Sequence, residues 1–199
     1  MKLGFTFTLL VLISASALAF KPHTAHYQLS VNGLKIAEEV RTLHQLEDKY
    51  FYTANAKTSD LVSLIKDYEI NAKSTFILNQ FGLHSTHYQY FERDGDQVKK
   101  NINIRLQDQQ VDPLSLLLSF TDLLTKDSTK TDFYFMVNNG ETVKKKHYQQ
   151  VKSKLKNIIK IINLEDELEA YFDADQHYLP ILIQRKNFTY QLQSVQFQP

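Results

Sequence analysis

The chain has 199 residues, with 23 Lys and Arg against 22 Asp and Glu, a formal net charge of +1 and no cysteine. Near-balanced charge argues against a nucleic-acid binder, which shows a basic excess. The absence of thiols excludes disulfides, thiol catalysis and thiolate metal sites. With 11 Tyr and 13 Phe against 5 Gly and 4 Pro, the composition suits strands better than disorder.

The first element is a leader. Met1-Lys2 is a short basic start, Phe5–Ile13 is an apolar run broken only by threonines, and Ala17-Leu18-Ala19 is a small-x-small site. Residues 1–19 read as a secretory signal, with Ala17, Ala19 and Phe20 marking the cleavage point. The apolar run is too short to anchor in a bilayer, and no cysteine is present to carry a lipid. Residues 20–199 are expected to be one exported β-rich domain without a membrane span, periplasmic if the source is bacterial. The leader holds one lysine and no acid, so the formal charge of that domain is zero.

Strands follow. Asn32-Gly33 supplies the two positive φ angles of a tight hairpin, and places Val31 opposite Leu34 and Leu29 opposite Ile36. Glu39–Leu46 continues that hairpin. Tyr50–Lys57 comes after a Glu47-Asp48-Lys49 turn, and Tyr68–Leu78 is the next strand. Between them, Leu61–Ile65 reads as a helical turn capped by Ser59 or Asp60. A turn at Asp94-Gly95 would set Phe91 against Val98 and Leu83 against Leu106, with Ile102 and Ile104 on the same face. A turn at Asn139-Gly140 would pair Met136 with Val143 and, less well, Phe135 with Lys144. Ile181–Lys186 and Thr189–Phe197 form a last pair, with Pro180 at a strand start.

One segment is helical. Asp112 precedes Pro113, an N-cap acid before a first-turn proline, and seven of the eleven residues Leu114–Leu124 are Leu or Phe. Apolar residues surround this helix, so it is expected to be buried on most sides, either as a plug of the core or as a movable lid over a cavity. Residues 151–172 admit two readings. Val151, Leu155, Ile158 and Ile162 fit a helical face. The alternation of Lys152, Lys154, Lys156 and Lys160 with Glu165, Glu167 and Glu169 fits two antiparallel strands turning near Asn163, and period two accounts for the charges better.

Chemistry-bearing constellations are scarce. On a regular strand the members of the His84/His87 and His23/His26 pairs point to opposite faces, so no metal or cofactor is expected. There is no nucleophile elbow and no phosphate loop. Ser115 reads as a first-turn residue satisfying free amides rather than as a nucleophile. No catalytic residue is assigned. The lysines of 144–160 suit either an anionic partner or a wet strand face neutralised by the glutamates that follow.

Four places together resemble the uncharacterised bacterial exported-protein family called domain of unknown function 3108. They are His26-Tyr27-Gln28-Leu29 with Asn32-Gly33-Leu34; Ala54–Ile65; Asp112-Pro113-Leu114-Ser115; and Tyr171-Phe172 with Tyr178-Leu179-Pro180-Ile181. Ala37 stands where that pattern has glycine, and Tyr171 where tryptophan is common. The resemblance implies export and a β fold, and no activity.

The expected fold is mainly β, a curved antiparallel sheet or open barrel of about ten strands around the Pro113–Leu124 helix, similar to the half-barrels of lipoprotein carriers. The expected function is a non-catalytic cell-envelope protein that binds an apolar ligand or a protein partner, with Leu117, Phe120 and Leu124 as ligand-facing residues. The alternatives are an envelope scaffold acting through its outer surface and, below it, a hydrolase. Oligomeric state is not readable.

Overall fold

A computed structural model describes residues 20–63 and 67–198. The leader, including Ala17 and Ala19 of the expected cleavage site, lies outside these residues, as do Leu64 and Ile65 of the short apolar segment.

The strands are β1 (His23–Val31), β2 (Leu34–Leu46), β3 (Lys49–Thr58), β4 (Tyr68–Asn79), β5 (Gly82–Asp94), β6 (Gln97–Arg105), β7 (Gln110–Val111), β8 (Asp132–Asn138), β9 (Val143–Val151), β10 (Ile158–Asn163), β11 (Leu168–Asp173), β12 (Leu179–Arg185) and β13 (Phe188–Phe197). A short helix α1 (Asp60–Ser63) follows β3, and the long helix α2 (Ser115–Lys126) follows β7. All 13 strands form one sheet, ordered β6-β5-β4-β3-β2-β1-β13-β12-β11-β10-β9-β8-β7. Neighbours are antiparallel except β7 with β8. The chain is therefore mainly β, a curved unclosed sheet around one apolar helix. The sheet exceeds the expected ten or so strands, and β7, a two-residue element, is one the sequence reading did not include.

Helix α2 starts as its residues dictate. Asp112 Oδ1 accepts from the amides of Leu114 (2.9 Å) and Ser115 (2.8 Å), and the Asp112 amide donates to Ser115 Oγ at 3.2 Å. By backbone dihedrals the N-cap is Leu114, which makes no side-chain cap bond. The capping chemistry belongs to Asp112 two residues earlier. Its other oxygen accepts from Ser74 Oγ (2.6 Å) and Ser115 Oγ (2.7 Å), and Ser115 Oγ lies 2.6 Å from Ser85 Oγ. All four residues are fully buried, so this polar knot ties the helix start to β4 and β5. Beyond it, Leu116, Leu117, Phe120 and Leu124 join one apolar cluster with β8–β12, while Leu114 and Leu118 join a second with β2–β6. The helix is a plug between the two halves of the sheet. No described helix is long and apolar enough to cross a membrane.

The edge strand β6 meets the β8–β9 loop, near the opposite edge of the sheet, through side chains. Lys100 on β6 pairs with Glu141 in the β8–β9 loop at 3.0 Å. Beside it, a Cβ on Gly140 (φ +89°) would fall 2.4 Å from Ile102 Cγ2, so that crossing needs glycine.

Several registers differ from the sequence expectation. The Asn32-Gly33 turn and the Val31–Leu34 pair occur as expected, but a bulge after Leu29 sets Leu29 opposite Ala37 instead of Ile36. The next hairpin turns at Gly95-Asp96, because Asp94 stays paired with Gln97. With a bulge at Glu92/Arg93, Phe91 then faces Asn101, and it is Tyr88 and Tyr90 that meet Ile104 and Ile102. The Asn139-Gly140 turn spans four residues, since Asn139 Oδ1 accepts from the Glu141 and Thr142 amides, and Phe135 pairs with Lys146. In the 151–172 region the turn after Asn163 and the strands beside it are present. Lys152, Lys154 and Lys156 lie between strands, and so do Glu165 and Glu167. Lys160 and Glu169 remain on neighbouring strands and pair at 2.7 Å.

Candidate functional site

The inward faces of β2 and β3 run from large to small. From the helix end they read Leu43, Arg41, Glu39, Ala37 and Tyr50, Tyr52, Ala54, Ala56, all buried. Large side chains meet α2 and fill most of that end, leaving a gap of about 170 Å³ beside Leu43, His23 and Leu118. At the other end, where the β1–β2 and β12–β13 turns lie side by side (Asn32 amide to Asn187 carbonyl, 3.1 Å), alanines leave space. The result is a cavity of about 650 Å³, lined by Leu29, Ile36, Ala37, Ala56, Ile70, Phe188 and Tyr190 and edged by Lys57, Arg185 and Lys186. This is the size and character of a small-molecule pocket, roughly 300–1,000 Å³ with mostly apolar walls. Bulkier residues in place of Ala37 and Ala56 would take up part of it; the hollow is written into small side chains.

Between hollow and helix sits a buried ion pair. Arg41 Nε donates to Glu39 Oε1, both side chains inside the barrel. The guanidinium lies 4.6 Å from the Tyr27 ring centre and 5.8 Å from that of Tyr190, and Tyr27 Oη donates to the Pro180 carbonyl at 2.8 Å. Burial works against the Arg41 charge, but Glu39 and the hydroxyls of Tyr52 and Tyr27 outweigh it and hold the pKa above its ordinary value. Arg41 Nη1, Tyr52 Oη and His23 Nε2 are buried without hydrogen-bond partners among the described residues. His23 Nδ1 bonds the Lys21 carbonyl at 2.8 Å, and burial pushes the His23 pKa down, with Arg41 adding to the effect. A second cavity, about 360 Å³, opens on Arg41 and is bounded by Leu116, Leu117, Tyr148, Ile183, Lys144 and Lys146. It shares Arg185 and Tyr190 with the first.

The residues singled out from sequence separate. Leu117 lines the second cavity. Phe120 is enclosed by Phe133, Phe135, Tyr148 and Phe172, with ring centres 5.0–5.7 Å away, and Leu124 is packed in the same cluster. Phe20 is buried edge-on against Tyr50 and Phe76. His84 and His87 do not point to opposite faces as a regular strand would have them. A bulge opposite Thr75/Phe76 turns both Ser85 and Tyr88 inward, which leaves both histidines outward. There His84 lies 3.5 Å from Asp108 and His87 2.5 Å from Asn103. The described residues hold no group of three or more His, Asp or Glu arranged for a metal. A histidine–carboxylate hydrogen bond does occur, His147 Nε2 to Asp132 Oδ1 at 2.8 Å. It joins β8 to β9 on the outer face, with the imidazole stacked on Tyr134, and so acts as a strand staple. Sequence reading missed Arg41 and the alanine rows; the alternation of Ala37, Glu39 and Arg41 puts them on one face without saying that it is the inner one.

What this arrangement can do is bind. It offers apolar walls, an open end with cations, and buried hydrogen-bond donors. No protein-family model matches the chain, and no curated protein does. Among solved structures it is similar to a β-barrel-like protein of domain of unknown function DUF1849 from Brucella abortus, at 10% identity over 89% of this chain and 98% of that one, with a TM-score of 0.48.

Proposed function

We propose that this is an exported, non-catalytic envelope protein that binds an apolar ligand inside its open barrel. The observation that carries the reading is the 650 Å³ alanine-lined cavity at the end of the sheet that the helix does not fill. The leader read in residues 1–19 supports export, and the motif resemblance to domain of unknown function 3108 is in keeping with it. The ligand-facing surface moves from Phe120 and Leu124, which are packed core, to Leu29, Ala37, Ala56 and Ile70. A scaffold acting through its outer face would draw on a contiguous apolar patch. The most exposed large apolar residues, Phe81, Leu164, Leu34, Leu46 and Leu155, stand in or beside separate turns, which favours the interior.

Native mass spectrometry of protein purified from its own envelope tests this. Retention of a lipid-sized adduct that solvent extraction removes is the expected result. Bare protein alone, across gentle and stringent purifications, would contradict it.

A further inference from the structure

Arg41 is held 5% exposed inside the barrel, yet only one edge of its guanidinium is used. Nη1 is shut in on the Tyr52 side with no close hydrogen-bond partner among the described residues, while the Arg41 side chain forms part of the wall of the 360 Å³ cavity. An unused buried donor on a cation is costly to leave unmet. Around it the cavity is otherwise apolar on the helix side and cationic on the sheet side. Lys144, Lys146 and Arg185 line it against one acid, Asp166, which Lys146 already pairs and Arg185 approaches at 3.7 Å. Glu39 is paired with Arg41, so the cavity wall keeps a surplus of positive charge. The shared Arg185 and Tyr190 place this cationic hollow next to the apolar one.

We infer that the ligand is an amphiphile with an anionic oxygen head group, a carboxylate or a phosphate, which Arg41 receives in the second cavity while its chain fills the first. This rests on the apolar-ligand reading above. The guanidinium edge suits planar or tetrahedral oxyanions. Lys144 and Arg185 add positive charge on the same cavity wall.

Calorimetric titration of the purified protein with dodecanoate, dodecyl phosphate and dodecanol separates the claims. At least one anionic probe is expected to bind roughly tenfold or more tighter than the alcohol of equal length, the fold-change that a charge-assisted bond inside a protein brings. The pair of anions shows which head is preferred. In the double variant Glu39→Gln with Arg41→Gln, which leaves no lone buried charge, the anion-to-alcohol ratio should fall towards one. Should that variant fail to fold, Lys144→Gln with Arg185→Gln is expected to lower the ratio by severalfold. Equal binding of acid and alcohol by the native protein overturns the head-group site and spares the apolar cavity. A ratio unchanged in the folded variants overturns it too, and moves the anion to Lys57 and Lys186 at the mouth. No binding of any probe removes both readings.

Discussion

His23 is an imidazole whose pKa burial pushes below its ordinary value. One nitrogen is bonded to the Lys21 carbonyl, the other is buried without a hydrogen-bond partner among the described residues, and the rings of Tyr52 and Phe197 flank it beside the Arg41 charge. Its folded-state pKa is below the ordinary 6.5, so below that pH the unfolded chain takes up the proton more readily. Its contribution to stability is present above pH 6.5 and lost as pH falls beneath it. Urea melts between about pH 7.5 and 5.5 should show a loss of stability that His23→Gln flattens; parallel slopes would refute the assignment. At this scale, what was legible was local. Asp112 and Ser115 cap the helix as their spacing says, because a cap is satisfied within three residues. Arg41 was not legible. Glu38-Glu39-Val40-Arg41 reads as a wet strand, and only long-range pairing reveals that Glu39 and Arg41 point into the barrel.

At the scale of elements, turns decide faces. The β10–β11 connection ends with Glu167 in the left-handed region (φ +51°) before Leu168, which packs against the helix cluster. Replacing Leu168 by Asp should cost about 2–3 kcal/mol by placing an acid on an apolar wall, with Arg185 opposite it limiting the loss. Glu167→Gly should stabilise by about 0.5–1 kcal/mol, because glycine takes that backbone angle freely, and Glu167→Lys should be nearly neutral. Thermal melts ranking these in the opposite order would show the face assignment wrong. The Asn32-Gly33 hairpin was readable because its turn chemistry fixes two φ angles. The Asp94 hairpin slipped by one residue and exchanged Phe91 for Tyr88 and Tyr90 on the inner face. Bulges cause such slips, and a bulge depends on the partner strand, which the local sequence does not state.

For the whole molecule, the helix and the alanines divide the interior. Residues Leu114–Leu124 announced a buried rod, and its placement inside a curved sheet followed from there being one long helix to cover. Where the rod stops short was hidden, since Ala37 and Ala56 lie on different strands and make a hollow only when aligned side by side. Lys100–Glu141 and the Gly140–Ile102 crossing tie the edge strand β6 to the β8–β9 loop. The most direct test is to fill the hollow. Ala56→Leu places three more carbons into the 650 Å³ cavity, where room exists and packing contacts are gained. Titration with a fluorescent acyl probe should show saturable binding to the native protein and a loss of about tenfold or more in the variant, at unchanged or raised melting temperature. Equal binding by both proteins, or none by the native one, would contradict the account.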